Sequence, residues 1–159
     1  LIGGTNDHYQ WNDAVIVEQV EQICRAQSQV QWVLTDSRRT PEAFLSALAE
    51  KNLPNLTLIS HKDTQRGFIK QQLGNTGQLW VTRDSVSMVY ECITSGAPAG
   101  LLDMKPLRQS RVVKDMDKLL RQKWVRDYAQ WDVNQALPET ETKLWEADRG
   151  ARWLLGHLS

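Results

Sequence analysis

The chain has 159 residues, of which 41% are hydrophobic and 24% charged, so it fits one folded domain and is not a disordered chain. Its 19 basic and 19 acidic residues cancel, and the composition gives no sign of nucleic-acid binding. No apolar run approaches the roughly 18 residues that a membrane-spanning helix needs. Cys24 and Cys92 lie far apart and form no Cys-x-x-Cys motif, which argues against a zinc site or a disulfide scaffold and fits a reducing, cytoplasmic setting.

Short apolar runs alternate with amphipathic stretches over the first 104 residues. The apolar runs predict five strands, at 1–2, 30–35, 56–60, 79–82 and 99–102. The amphipathic stretches predict the helices between them, at about 11–26, 41–51, 64–73 and 85–96. Because strands and helices alternate, we expect a Rossmann-like α/β/α domain at 1–104. Its parallel sheet should have five strands in the order 3-2-1-4-5.

The remainder of the chain, residues 105–159, predicts two helices packed on the same domain, at 105–128 and 139–157. Eight basic and two acidic residues fall between 105 and 126. We interpret them as a solvated helix face, and a peripheral contact with an anionic membrane is the alternative. The chain opens on what we interpret as the end of a strand, so we expect a preceding N-terminal domain.

Three polar loops should meet at the carboxyl ends of the predicted strands, where open α/β sheets bind ligands. They are residues 3–9, 35–41 and 82–88. Gly3-Gly4 would let the backbone approach a ligand closely, but the Gly-x-Gly-x-x-Gly motif of dinucleotide-binding proteins is absent. Arg38 and Arg39 could clamp phosphate oxygens, or they could be solvated loop residues.

The predicted helix that begins near Ser85 offers an anion site, because its first N–H groups and its dipole favour negative charge. Asp84 or Ser85 could instead serve only as its cap. Glu91 follows Ser87 by four residues and therefore shares its helix face, about 6 Å deeper along the axis. A carboxylate there could bind both ribose hydroxyls of a nucleotide, or it could be an ordinary exposed residue.

Three segments carry a resemblance to a known family. They read LIGGTNDHYQW at 1–11, TDSRRTP at 35–41 and VTRDSVSMVYE at 81–91. Together they resemble the mitochondrial fission (elongated-mitochondria) family of bacterial and plant proteins. That family is in turn similar to glycosyltransferases of the GT-B type. One departure is the segment His61-Lys62-Asp63-Thr64, where family members usually have an Asn-Pro-Tyr-like segment.

The resemblance implies a site for a nucleotide-diphosphate sugar, with no metal and no further cofactor. Glu91 is the implied ribose contact. The candidate phosphate and nucleotide contacts are Gly3, Gly4, Thr5, His8, Ser37, Arg38, Arg39, Ser85, Val86, Ser87 and Met88. A catalytic base would come from the N-terminal domain, so none can be named in this chain.

We therefore expect the nucleotide-sugar-binding half of a GT-B-like glycosyltransferase, located in the cytoplasm or peripherally at the inner membrane. On its own, this half should not be active, because catalysis also needs groups of the opposing domain. Two alternatives remain open: a non-catalytic interaction module that retains the fold, and a nucleoside-diphosphate-sugar epimerase, the label that some bacterial relatives carry.

Overall fold

The computed structural model of the protein describes residues 1–139, and the helix predicted at 139–157 lies outside the described residues. The described α-helices are α1 Asp13–Ala26, α2 Ala43–Ala49, α3 Phe68–Gly74, α4 Val86–Ser95 and α5 Arg111–Arg121. The strands are β1 Trp32–Thr35, β2 Leu56–Ile59, β3 Leu79–Val81, β4 Ala99–Leu101 and β5 Arg126–Asp127. Short 3₁₀ helices cover His61–Asp63 and Tyr128–Gln130. The predicted α/β alternation over the first 104 residues is confirmed.

Local signals account for the ends of the main helices. The Asn12 side chain caps α1 by accepting a hydrogen bond from the Val15 N–H at 3.3 Å. The α1 face that includes Ile16, Val20 and Ile23 is buried. Helix α4 ends at Gly96, whose φ of 82° is the left-handed conformation that glycine adopts without strain.

The described residues form two parallel sheets, and the predicted five-stranded sheet in the order 3-2-1-4-5 is not confirmed. One sheet pairs β1 with β2, and the other has the order β3-β4-β5. The predicted first strand, Leu1–Ile2, is too short to form a ladder with either sheet. It makes single bonds instead: the Ile2 N–H donates to the Thr35 carbonyl at 3.0 Å, and the Thr82 N–H donates to the Leu1 carbonyl at 3.3 Å.

The helix predicted at 105–128 is wrong in extent, since only Arg111–Arg121 is helical. Lys105 precedes a proline and is therefore disfavoured in a helix, and Ser110 caps the helix that does form. The helix ends at Arg121, and the chain turns away at Lys123, whose φ is 59°. Its N–H bonds to the Leu120 carbonyl, and the next N–H bonds to the Leu119 carbonyl, both at 3.1 Å. This is a Schellman motif, after which the chain enters β5.

Side chains of the helices and strands form one buried apolar core. Next to it, the Trp80 ring packs edge-on against Tyr128 and Trp131 at centroid distances of 5.8 and 5.1 Å. Cys24 and Cys92 are free and buried, and burial raises the pKa of both thiols to about 11. Over residues 1–139, none of the helices has the length and apolarity to cross a membrane.

Candidate functional site

The three polar loops meet at the carboxyl ends of β1 and β3. The Gly4 N–H donates to Asp84 Oδ2 at 2.9 Å, which joins the first loop to the third. The Thr5 N–H donates to the Arg39 carbonyl at 3.1 Å, which joins the first loop to the second. The first and third loops are also linked by the Gly3 N–H, which donates to Thr82 Oγ1 at 2.8 Å. The sequence therefore predicted correctly which loops come together.

Gly3 and Gly4 are packed against the other two loops. A Cβ on Gly4 would lie 2.0 Å from the Arg39 carbonyl oxygen, and one on Gly3 would lie 2.2 Å from Asp84 Oδ2. The hydroxyl of Ser37 donates to the Gly3 carbonyl at 3.0 Å, and Thr40 donates to the same oxygen. The sequence predicts that Gly3-Gly4 lets the backbone approach a ligand closely. In the structure, the backbone at both glycines instead lies close to Arg39 and Asp84 of the protein itself.

Asp84 is the central anion of this junction, and sequence analysis considered it only as a helix cap. Its side chain is fully buried and pairs with Arg39 Nη1 at 2.9 Å. The other carboxylate oxygen, Oδ1, has no partner among the described residues. Asp84 is the third residue after the buried strand β3, and this position was the available signal for such a role. Its partners lie 45 and 80 residues away in the chain.

The two adjacent arginines have different surroundings. Arg39 pairs with Asp84 and also donates to the Thr5 carbonyl at 3.2 Å. Arg38 is exposed and makes no hydrogen bond or ion pair within residues 1–139. Of the two predicted phosphate contacts, Arg38 therefore has the guanidinium that is open to a ligand.

The first turns of α4 present a polar strip to solvent. Ser85 is buried at the N-cap, and its side chain makes no capping hydrogen bond. Val86 and Met88 are partly buried and pack against the core. Ser87 and Glu91 are exposed one turn apart on the same helix face.

His8 lies in the first loop but bonds towards α5. Its Nδ1 is 2.9 Å from the hydroxyl of Ser110, the N-cap of that helix. Tyr9, which follows it, is buried with no partner for its hydroxyl among the described residues. Burial raises the pKa of Tyr9 to about 12. Within the part of the chain that the structure describes, His8 makes no hydrogen bond to Gly4, Arg39 or Asp84.

An aspartate–histidine pair that the sequence analysis missed lies at the carboxyl ends of β1 and β2. Asp36 Oδ1 accepts the His61 backbone N–H at 2.6 Å and lies 2.9 Å from His61 Nδ1. Asp36 is buried, and His61 is partly exposed. His61 begins the segment that departs from the family pattern. Its two contacts with Asp36 hold the start of this segment at the end of β1.

Arg83, beside the junction, is held by protein groups. Its guanidinium donates to the Leu102 carbonyl at 2.9 Å and to Asp127 Oδ1 at 2.6 Å, and it lies 3.4 Å from Asp103. Its charge is therefore compensated within the fold. No group of three or more histidine, cysteine or acidic side chains suited to a metal occurs within residues 1–139.

Parallel strands linked by helices, with polar loops gathered at their carboxyl ends, are typical of α/β proteins. The chain belongs to the family described as Mitochondrial fission ELM1, whose sequence profile matches residues 1–158. The resemblance noted from the three segments is thereby confirmed. No curated protein and no solved structure matches the chain.

Proposed function

We propose that the chain binds a nucleoside-diphosphate sugar at the start of α4. The observation that carries this proposal is the ion pair between Arg39 and Asp84, which holds the second loop against the segment that leads into α4. Arg38 is exposed in the second loop, and Ser87 and Glu91 are exposed on α4. A cation, a helix start and a carboxylate one turn deeper suit a diphosphate followed by a ribose.

The helix start is suited to an anion because its N-cap residue makes no side-chain capping bond. The first N–H groups of an α-helix have no acceptor within the helix, and they bind phosphate readily. The buried carboxylate of Asp84 would oppose an anion there, but Arg39 compensates its charge at 2.9 Å. The exposed guanidinium of Arg38 would then add the attraction that a diphosphate needs.

On this proposal, the chain is the donor-binding half of a GT-B-like glycosyltransferase. An acceptor and a catalytic base would have to come from an opposing domain, so this chain alone would bind the donor weakly and transfer nothing. The support is the family resemblance together with the strip on α4.

A second candidate is a non-catalytic interaction module. Gly3, Gly4 and Asp84 have contacts within the protein that account for their residue types. Such contacts favour a fold that keeps this junction for its own stability, whether or not a ligand binds.

Glu91→Gln provides the first test. We expect it to weaken binding of a nucleoside diphosphate by roughly 1.5–3 kcal/mol, because a charged acceptor of ribose hydroxyls is lost. The measurement is a thermal-shift titration with a panel of nucleoside diphosphates, where ligand at 100 times its dissociation constant adds about 2.7 kcal/mol of stability. Glu50→Gln, at an exposed position after α2, is the matched control and should bind normally. Unchanged affinity in Glu91→Gln, or no stabilisation of the wild type by any nucleotide, would contradict the proposal.

Arg38→Ala tests the cationic side of the site. We expect binding about five- to tenfold weaker, and a smaller dependence of affinity on salt, because a screened phosphate contact is removed. Titrations of the wild type and the variant at low and high ionic strength measure both effects. Equal affinity with the same salt dependence would show that Arg38 is a solvated loop residue.

A further inference from the structure

A cavity of about 480 Å³ separates the two sheets. The strands β1 and β3 form two of its walls. Apolar side chains of α1 and α3 complete the lining, among them Val20, Ile23, Phe68 and Leu73. We call this cavity the inter-sheet groove. It lies beside the described loop junction and is mainly apolar.

The strand edges that face the inter-sheet groove carry backbone N–H groups that have no hydrogen-bond partner among residues 1–139. The Trp32 N–H bonds away from the groove to the Asn55 carbonyl, and the Leu79 N–H bonds away from it to the Pro98 carbonyl, both at 2.8 Å. Because backbone groups alternate between the two sides of a strand, the N–H groups of Val33, Thr35 and Trp80 point into the groove.

Leu1 and Ile2 already occupy the carboxyl end of the inter-sheet groove as a strand would. The Ile2 N–H donates to the Thr35 carbonyl at 3.0 Å on the β1 side. The Leu1 amino group donates to the Trp80 carbonyl at 2.7 Å on the β3 side. Alternate residues thus bond to opposite walls, which is the pattern of a parallel strand between two others.

We propose that the inter-sheet groove accepts an extended apolar segment of roughly three to four residues, joined to the Leu1 nitrogen, as a parallel strand between β1 and β3. Such a segment would bond to both strand edges and turn the two sheets into one. The order would be β2-β1-new strand-β3-β4-β5.

The chemistry of the inter-sheet groove determines the character of the occupant. Its lining is apolar on the helix sides, and strands buried on both faces are typically continuous apolar runs. Three residues of the lining, Trp32, Thr35 and Trp80, have a buried side-chain N or O atom without a partner among the described residues. Burial also lowers the pKa of the Leu1 amino group. A peptide bond at this nitrogen would remove the charge, which favours a covalently joined segment over a free peptide.

The test joins the tetrapeptide Val-Val-Ile-Val to Leu1 and measures amide hydrogen exchange by NMR. We expect exchange at Val33, Thr35 and Trp80 to slow by about tenfold or more relative to the chain without it. Trp32 and Leu79 are internal controls, because their N–H groups are already bonded on the other sides of their strands. An Asp-Gly-Asp-Gly extension of the same length is the matched control and should give no selective protection.

Two outcomes would overturn the proposal: equal exchange with both extensions, and equal protection by the free tetrapeptide at millimolar concentration. If the extended chain does not fold, acetylation of Leu1 replaces it. An acetyl carbonyl would accept the Thr35 N–H, so exchange there should slow, and unchanged exchange would exclude this placement. Nucleotide binding does not enter these measurements, so their failure is distinct from failure of the proposed function.

Discussion

Arg38 and Arg39 show how adjacent residues of one type acquire different roles. Arg39 reaches a buried carboxylate, whereas its neighbour extends into solvent. The sequence predicts either that both arginines clamp phosphate oxygens or that both are solvated loop residues, because the direction of a side chain in a loop cannot be read from residue type. The structure assigns Arg39 to the junction and leaves Arg38 open to a ligand.

Arg39→Ala should lower the free energy of unfolding by about 1–3 kcal/mol, because it leaves the buried Asp84 carboxylate with a single donor among residues 1–139, the Gly4 N–H. Arg38→Ala is the matched control and should change stability by less than about 0.5 kcal/mol. Urea denaturation of both variants measures the difference. Equal losses would contradict the separate roles.

The candidate site was predictable where it depends on local pattern. Ser87 and Glu91 follow a helix start and lie on one exposed face, as their spacing predicts. Asp84 was not predictable as the junction's anion, because its partners Gly4 and Arg39 are distant in the chain. Contacts of this kind arise from tertiary packing, which one sequence does not display.

At the scale of an element, helix α5 is shorter than the spacing of its apolar residues predicts. Apolar residues repeat at helical spacing from Val113 to Tyr128, and a helix over that whole stretch was the natural prediction. Trp124 and Tyr128 do pack against the core, but they do so beyond the helix end. The chain turns away at Lys123, and lysine is not a residue that signals a left-handed turn.

Lys123→Gly should raise the free energy of unfolding by about 0.5–1 kcal/mol, because glycine adopts the positive φ without strain and only part of the gain is lost to its greater unfolded-state entropy. Gln122→Gly is the control. That residue has an ordinary helical φ of −81°, and the change should lower stability by up to about 1 kcal/mol. Thermal and urea unfolding compare the two variants. A loss of stability in both variants would contradict the strain that we assign to Lys123.

At the scale of the molecule, β5 is attached to its sheet by parallel pairing with β4 and by a side-chain bond from Arg83. This buried arginine joins Asp127 of β5 to the Leu102 carbonyl beyond β4. A two-residue strand has no sequence pattern of its own, so β5 was not predicted. The first four helices and β1 to β4 were predicted, because each lies in an apolar run or an amphipathic stretch that is visible in the sequence.

Asp127→Ala should lower the free energy of unfolding by about 2–4 kcal/mol, since it leaves a buried guanidinium without its nearest carboxylate. Asp103→Ala removes the more distant and more exposed partner of the same arginine. It should cost less than about 1 kcal/mol. Chemical denaturation with the Trp80 cluster as fluorescence signal reports both changes. Equal effects would mean that Asp127 is not the principal partner.

The burial of Cys24 and Cys92 has a consequence for the protein's chemical reactivity. With a pKa of about 11, each thiol is about 10⁻⁴ ionised at neutral pH. The thiolate is the reactive form, so oxidation and alkylation should be slow in the folded state. Cys24 lies on α1 beside the inter-sheet groove, and Cys92 lies on α4 beyond the loop junction. The labelling rate of each thiol would therefore report how often the structure around that cysteine opens.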